Sequence, residues 1–178
     1  MSARDSRRIG FSHARRRGAR QAAFTLVELA VVCFIISLLG AIAVPIFKRI
    51  TEEARSTAVI NDLRVFSAAF QSYAHDRGVW PDGGSAPGEV PAGMEGYLKE
   101  SNWSRPTPLG GLYFWAPNTP QQGERYRACI VLAGTDGNPV SDDRRQLEDL
   151  DRRIDDGNLS TGNLRLGYRD YPVYVIEH

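Results

Sequence analysis

Residues 24–47 have the sequence FTLVELAVVCFIISLLGAIAVPIF, which contains one charged side chain, that of Glu28. The 19 residues from 29 to 47 carry no charge. At 1.5 Å per residue, a helix of that length spans about 28 Å, close to the roughly 30 Å thickness of a bilayer's hydrocarbon core. The stretch therefore predicts a helix that is long and apolar enough to cross a membrane once.

The charges around this stretch predict its orientation. Residues 1–23 carry seven arginines and one aspartate, a net charge of +6, whereas residues 24–178 carry 15 basic and 20 acidic groups, a net charge of −5. Because basic residues beside a span stay cytoplasmic, we expect a cytoplasmic leader and an exported body. No small-residue cleavage site follows the apolar core, so we expect the helix to remain attached. The acidic body also argues against nucleic acid as a partner.

The helix is predicted to continue beyond the membrane, over residues 48–78. Apolar side chains recur there at steps of four, three, four and three residues: Val59, Leu63, Phe66, Phe70 and Tyr73. That spacing places them on one face of an amphipathic helix, which predicts packing against a folded domain. An uninterrupted helix over 24–76 would be about 80 Å long. Its first half must therefore be covered by lipid or by other subunits.

The start of the apolar stretch resembles a known processing signal. Residues 23–29, AFTLVEL, are similar to the cleavage and methylation signal of type IV prepilins and type II secretion pseudopilins. The resemblance implies that a prepilin peptidase cuts between Ala23 and Phe24 and that the new N-terminus of Phe24 is methylated. It also implies that Glu28 serves filament assembly. Ala23 departs from the glycine that the family prefers before the cut.

Two residues of the apolar stretch, Glu28 and Pro45, need a physical explanation. A carboxylate well inside a membrane costs roughly 3 kcal/mol and usually has a partner. Cleavage would create one, because the nitrogen of Phe24 becomes an ammonium that Glu28 of a neighbouring subunit can pair with. The alternative is that Glu28 lies near the interface and favours the positive end of its own helix. Pro45 removes one helical hydrogen bond, so a kink or local melting is expected there, and the family often has an interrupting proline at this place.

A second resemblance lies at the predicted end of the helix. Residues 73–81, YAHDRGVWP, are similar to the Tyr-x-x-Asp-x-Gly-x-Tyr-Pro stretch of pseudopilins, with Trp80 in place of the second tyrosine. Gly78 can adopt the left-handed conformation that ends a helix, and Pro81 prevents the helix from resuming. The specific resemblance covers residues 23–81, and beyond them it is one of architecture.

The remaining residues, 79–178, are predicted to form a small head. Residues 82–110 are rich in Gly, Pro and Ser and predict a loop, and residues 142–154 predict a short exposed helix. Three segments have the composition of strands: 112–115, 126–132 and 171–176. The predicted fold is α+β and pilin-like: a long N-terminal helix, transmembrane in its first half, packs by its second half on a small antiparallel β-sheet.

An acidic loop near the C-terminus is a candidate cation site. Residues 134–158 contain eight acidic groups and four arginines. Calcium favours clustered carboxylate, amide and backbone oxygens on a glycine-containing loop, and the resemblance implies calcium because major pseudopilins often bind it in their C-terminal loops. Asp155, Asp156 and Asn158 are the candidate ligands. The alternative is a solvated turn whose carboxylates pair with the arginines.

The sequence carries no residue pattern typical of an enzyme. Its histidines lie in the leader, at the predicted helix end and at the C-terminus, and none has the partners of a catalytic triad or a metal site. No phosphate-binding glycine loop is present. We therefore expect the chain to be a substrate of the prepilin peptidase and methyltransferase and not an enzyme itself, with calcium as its one candidate cofactor.

These expectations combine into one predicted function. The chain is predicted to be a structural subunit of a pilus-like filament, most specifically a type II secretion pseudopilin that assists protein export. Its predicted parts are a leader to be removed, 1–23, a transmembrane assembly segment, 24–47, an amphipathic segment, 48–78, and the exported head, 79–178. The predicted partners are copies of itself, other pilin-like subunits, the processing enzymes and an assembly platform in the bacterial inner membrane, with the N-terminus cytoplasmic and the head periplasmic.

Two alternatives to this function remain open. A type IV pilin for adhesion, motility or DNA uptake shares every feature as far as Gly78. The C-terminal disulfide loop common in such pilins is impossible here, because Cys129 is the head's one cysteine and Cys33 lies in the apolar stretch. The second alternative is a monomeric membrane-anchored binding module, which predicts that the substitution Glu28→Ala leaves function intact.

Overall fold

The computed structural model describes residues 25–84 and 86–178. These described residues divide into two units, 25–43 and 44–178. The described residues form these elements in chain order: helix α1 (Leu26–Arg77), helix α2 (Glu100–Trp103), strands β1 (Leu112–Trp115), β2 (Pro120–Gln121), β3 (Glu124–Arg125) and β4 (Ala128–Ala133), helix α3 (Arg144–Ile154), strand β5 (Leu164–Leu166), a 3₁₀ turn (Tyr168–Asp170) and strand β6 (Pro172–Glu177).

Helix α1 has 52 residues and ends where the sequence predicts. Gly78 follows it with a φ of 73°, and its N–H donates to the carbonyl oxygen of Ala74 at 2.8 Å. The left-handed conformation of Gly78 therefore closes the helix as expected. The helix continues through Pro45 without interruption, so the local melting expected at that residue is not seen in this structure.

The apolar face predicted for the second part of α1 forms the centre of the core. Four of its residues are at most 1% exposed: Val59, Leu63, Phe66 and Phe70. Phe70 stacks on Trp115 of β1 with ring centroids 3.8 Å apart. Phe66 meets Trp103 of α2 edge to face, with ring centroids 5.1 Å apart. Tyr113 and Trp115 of β1 thus belong to the core.

A four-stranded antiparallel sheet lies against this face of α1. Its strand order is β1-β4-β6-β5. All six residues of β4 are buried, since the strand is paired on both sides and covered on both faces. The face turned away from α1 carries a second apolar cluster that includes Cys129, Val131 and Val173. A long helix on a small antiparallel sheet confirms the predicted α+β, pilin-like fold.

Several smaller elements differ from the expectations. The predicted loop over residues 82–110 contains α2, whose Trp103 is fully buried and donates from Nε1 to the carbonyl oxygen of Glu89 at 2.8 Å. The β2–β3 hairpin and strand β5 were not predicted. Helix α3 occupies the predicted place but is amphipathic instead of exposed, because Leu147 and Leu150 pack into the core.

Candidate functional site

The first part of α1 keeps its apolar side chains on the surface. Every residue from 25 to 50 is exposed except Gly40, which is half-buried. Phe34 and Phe47 are 70% and 71% exposed. The helix is long and apolar enough to cross a membrane. So large an apolar surface marks a place that lipid or protein covers.

Thr25 and Glu28 close the N-terminal end of α1. The hydroxyl oxygen of Thr25 accepts a hydrogen bond from the backbone N–H of Glu28 at 3.2 Å. In return, Glu28 Oε2 accepts hydrogen bonds from the backbone N–H and the hydroxyl of Thr25, both at 2.9 Å. This reciprocal arrangement is a capping box, which satisfies backbone donors that the start of a helix leaves free. Glu28 thus has a partner in its own chain, while its Oε1 accepts no hydrogen bond from the residues that the structure describes.

The predicted cleavage site, Ala23 and Phe24, lies outside the described residues. Thr25, which follows it directly, is a functional candidate that the sequence analysis did not single out. Its signal was nevertheless present, because a threonine three residues before a glutamate is the pattern of a capping box. Thr25 fixes the position of the Glu28 carboxylate at the first turn of the helix.

The segment after α1 is attached to the head by its side chains. The indole N–H of Trp80 donates to Glu177 of β6, which also accepts from Arg127. The hydroxyl of Tyr97 donates to Asp76 at 2.9 Å. These contacts fix the direction in which the chain leaves α1. Residues 73–81, which resemble a stretch of pseudopilins, thus have a structural role in this protein.

Three carboxylates meet at the C-terminal end of α3. One oxygen from each of Asp151, Asp155 and Asp156 lies within 4.8 Å of the other two. Asp151 is 0% exposed, and neither of its oxygens accepts a hydrogen bond from the described residues. Burial, together with the neighbouring carboxylate of Asp155, raises the pKa of Asp151 to about 7. Because a buried carboxylate without a partner is costly, Asp151 needs either a proton or a cation.

The loop after α3 surrounds the other two carboxylates. Asp155 accepts hydrogen bonds from the backbone N–H groups of Asp156 and Asn163. Burial raises the pKa of Asp155, but the hydrogen bonds, led by that from Asn163, outweigh it and lower the pKa below its usual value. Asp156 accepts from the hydroxyl of Thr161 at 2.6 Å and from the backbone N–H of Asn158 at 2.8 Å, and these bonds lower its pKa. The loop thus favours two ionised carboxylates beside Asp151.

The donor set of this cluster fits a hard divalent cation. Carboxylate oxygens are the ligands that calcium prefers. Gly162 approaches Asp155 so closely that a Cβ atom there would collide with the carboxylate. The loop is therefore built around the Asp155 carboxylate, and Asp151 supplies a buried oxygen that nothing else in the described part of the chain uses.

The cluster contains two of the three predicted ligands and one that was not predicted. Asp155 and Asp156 come together with Asp151, which the sequence analysis did not single out. The side-chain oxygen of Asn158 accepts a hydrogen bond from the backbone N–H of Ser160 at 3.1 Å. Asn158 thus shapes the loop that carries the two ionised carboxylates.

Comparison with known proteins supports the interpretation of the N-terminal end. Residues 18–44 match the family model described as the prokaryotic N-terminal methylation motif. The chain is also similar to fimbrial protein EcpC of Eikenella corrodens, with 35% identity over 68 residues, which are 38% of this chain and 44% of that protein. The chain thus matches less than half the length of that relative. The matched motif includes the predicted cleavage bond and Glu28.

The fold and the motif together indicate which class of protein the chain resembles. A long N-terminal helix with an apolar first part, followed by a four-stranded antiparallel sheet, is an α+β, pilin-like architecture. The chain thus combines this architecture with a prokaryotic N-terminal methylation motif and with similarity to a fimbrial protein, a combination that is consistent with a type IV pilin-like protein.

Proposed function

We propose that the chain is a structural subunit of a pilus-like filament, most specifically a type II secretion pseudopilin that assists protein export. One observation carries the proposal: an exposed apolar helix begins within a methylation motif. When a subunit leaves the membrane, its apolar helix needs a cover other than lipid, and the helices of further copies have the same apolar surface. The role of the chain is then structural, and the enzymes of the system are those that process it.

Processing and assembly are linked through Glu28. Cleavage between Ala23 and Phe24 creates an ammonium group, and methylation keeps its positive charge. In the single chain Thr25 holds Oε2 of Glu28, which leaves Oε1 for the ammonium of a neighbouring copy. In apolar surroundings a charge is stable only beside its partner. The pair therefore sets the register of one subunit against the next.

Pro45 is the second residue that we assign to assembly. Because proline has no N–H, the helical hydrogen bond at this position is already missing in the single chain. Local unwinding beside Pro45 then breaks fewer hydrogen bonds than elsewhere in α1. We propose that the helix opens here when subunits pack, although it is continuous in the single chain.

Two features favour a secretion pseudopilin over an adhesion, motility or DNA-uptake pilin. The segment after α1 follows the pseudopilin pattern, with Gly78 in the left-handed conformation and Trp80 bound to the last strand. The head also lacks the means for an internal disulfide, because Cys129 is its single cysteine and is buried as a free thiol.

We place the apolar segment in the bacterial inner membrane, with the leader in the cytoplasm and the head in the periplasm. The support is the arginine-rich leader before the segment. From that position the chain would meet the prepilin peptidase and methyltransferase, an assembly platform in the same membrane and other pilin-like subunits.

We also propose that the acidic loop binds calcium through Asp151, Asp155 and Asp156. The support is the buried carboxylate of Asp151, which has no hydrogen-bond partner in the described residues. Calcium would supply the positive charge that this carboxylate lacks. Asp151 belongs to α3 and the other two ligands to the loop after it, so bound calcium would join the helix to the loop.

Mass spectrometry of the N-terminal peptide, from cells with and without a prepilin peptidase, tests the proposed function. We expect a peptide that begins at Phe24 and carries one methyl group, and we expect it to disappear without the peptidase. An intact arginine-rich leader in both strains would contradict the proposal. The monomeric membrane-anchored module would then be the better hypothesis.

A further inference from the structure

A charged groove lies between the amphipathic segment of α1 and helix α3 of the head. Its volume is about 560 Å³, and its lining contains four arginines, four acidic residues and a glutamine: Arg49, Arg145, Arg152, Arg153, Glu52, Glu53, Asp143, Asp149 and Gln146. The charges of the lining sum to zero. The groove is therefore polar and of mixed sign, unlike the basic patch that a purely anionic ligand would favour.

Several of these charges are already paired within the groove. Arg49 binds Glu53 at 3.0 Å, and Arg152 binds Asp149 at 2.6 Å. The carboxylate of Asp143 accepts hydrogen bonds from backbone N–H groups of α3. The groups that remain among the lining residues are two guanidinium groups and one carboxylate.

These remaining groups have little else to bind. The guanidinium of Arg153 donates to the hydroxyl of Thr57 at 3.3 Å. The side chains of Arg145 and Glu52 make no hydrogen bond or ion pair with the described residues. The groove thus offers donors for an anion and an acceptor for a cation within one lining.

The groove begins next to the end of the apolar stretch. Arg49 follows Phe47, the last residue of that stretch, by two positions in the same helix. At 1.5 Å per residue, the segment from Arg49 to Glu53 lies about 3–9 Å beyond Phe47. The headgroup layer of a bilayer occupies this depth beside the hydrocarbon core.

We propose that this groove binds the headgroup of an ethanolamine-class phospholipid from the membrane that holds the apolar segment. Its phosphodiester would accept hydrogen bonds from Arg145 and Arg153, since guanidinium groups match phosphate oxygens. Its primary ammonium would donate to Glu52. The inference rests on the proposed membrane span and adds a lipid partner for the head.

Lipid retention in nanodiscs tests the proposal with the full-length chain. The discs contain equal amounts of ethanolamine and choline phospholipids, which share net charge and phosphate but differ in the N–H donors of the headgroup. Bound lipids are then counted by native mass spectrometry. We expect the wild-type chain to retain the ethanolamine lipid about threefold to tenfold over the choline lipid, as one or two charge-assisted bonds would give.

Three variants sharpen the test. R145Q/R153Q removes the phosphate donors, E52Q removes the ammonium acceptor, and R144Q is the control, because Arg144 is on the same helix but outside the groove lining. We expect the first two variants to lose the preference for ethanolamine and the control to keep it. All four substituted positions are exposed, so the melting temperature should not change.

Results that would overturn the lipid proposal can be distinguished from a result that would refute the membrane span. Equal retention of both lipids by the wild-type chain, or a preference that survives E52Q, would overturn the proposal. Loss of self-association in R145Q/R153Q without a change in lipid retention would also overturn it, since the groove would then be a contact between copies. Failure of the chain to enter the discs would instead refute the membrane span itself, and with it the proposed function.

Discussion

The two segments of α1 share one helical geometry but differ in what covers them. Between residues 26 and 47 the apolar side chains surround the helix and are exposed, as Phe34 shows with 70% exposure. Between residues 59 and 73 the large apolar side chains other than Val65 lie toward one face of the helix, and Phe70 on that face is 0% exposed. The first segment matches a lipid or multi-helix environment, and the second matches a single folded partner, the sheet.

This difference shows how much the pattern of apolar residues reveals about the surroundings of a helix. A stripe at steps of three and four needs one neighbour, whereas an apolar surface on all sides needs neighbours all round. The head of this protein supplies the one neighbour within its own chain. The all-round surface is why we assign the first segment to the membrane and then to a filament.

The first prediction compares a phenylalanine-to-alanine substitution in each of the two segments of α1, and it has the largest expected change in unfolding free energy. Phe70→Ala removes the ring stacked on Trp115 and should lower the unfolding free energy of the head by about 3–5 kcal/mol. Phe34→Ala removes an exposed ring and should change it by less than about 0.5 kcal/mol. Denaturant unfolding in detergent measures both. Equal losses for the two variants would contradict the division of α1 into two environments.

The second prediction concerns the charge within the apolar segment. Glu28→Ala should reduce filament yield by at least about tenfold, because the ammonium of a neighbouring copy would lose its partner in apolar surroundings. Glu53→Ala, also a glutamate of α1 but beyond the apolar stretch and paired with Arg49, is the matched control and should leave the yield unchanged. The yield is measured in the sheared filament fraction. Normal yield from Glu28→Ala would favour the monomeric module.

The third prediction is that the stability of the head depends on pH and on calcium through the buried carboxylate of Asp151. The pKa of Asp151 is about 7 in the folded state and near 3.8 in the unfolded chain. The folded state therefore binds more protons between these values, and without calcium the unfolding free energy should fall as the pH rises from about 4 to 7. Calcium at 100 times its dissociation constant should restore about 2.7 kcal/mol at pH 7.5.

Thermal unfolding with calcium or with a chelator checks this prediction. Asp151→Asn should remove both the pH dependence and the gain from calcium. Asp136→Asn is the control, because Asp136 is exposed and lies outside the cluster. If chelation leaves the wild-type melting temperature unchanged at pH 7.5, the acidic loop is a solvated turn and not a calcium site.

The fourth prediction compares the N-terminal caps of two helices, and it involves the smallest change in unfolding free energy. Asp143 caps α3 by accepting from the backbone N–H of Arg145 at 3.0 Å, so Asp143→Ala should cost the head about 1 kcal/mol. Thr25 caps α1 in the apolar segment, and Thr25→Val should leave the unfolding free energy of the head unchanged. A similar loss in both variants, measured by denaturant unfolding, would show that the apolar segment contributes to head stability.

Residue patterns that extend over many positions made the main elements predictable from the sequence. The stripe from Val59 to Tyr73 and the stop at Gly78 predicted α1 and its buried face, and the aromatic run predicted β1 at its observed bounds. Strand β5, by contrast, has three residues and the β2–β3 hairpin two on each side, which is too short for an alternating pattern. Their pairing depends on strands that are distant in the sequence.

The candidate cation site was predictable only in part. Asp155 and Asp156 were visible as a carboxylate pair in a loop. Asp151 was missed because its burial depends on which side of α3 packs on the sheet. A signal existed, since Asp151 lies four residues after Leu147, on the same face of the helix. An aspartate on the apolar face of an amphipathic helix is therefore a residue to examine for a ligand.

Labelling of Cys33 in assembled filaments shows whether the apolar segment of α1 forms the filament core. Cys33 lies exposed in the apolar segment, whereas Cys129 is buried and its pKa is raised to about 12, so a maleimide reports on Cys33. We expect Cys33 to stay unlabelled in filaments that have been sheared free of membrane, and to react once the filaments are dissociated in detergent. Val79→Cys, on an exposed residue of the head, should react in both states. Equal labelling of Cys33 before and after dissociation would contradict a filament core built from this helix.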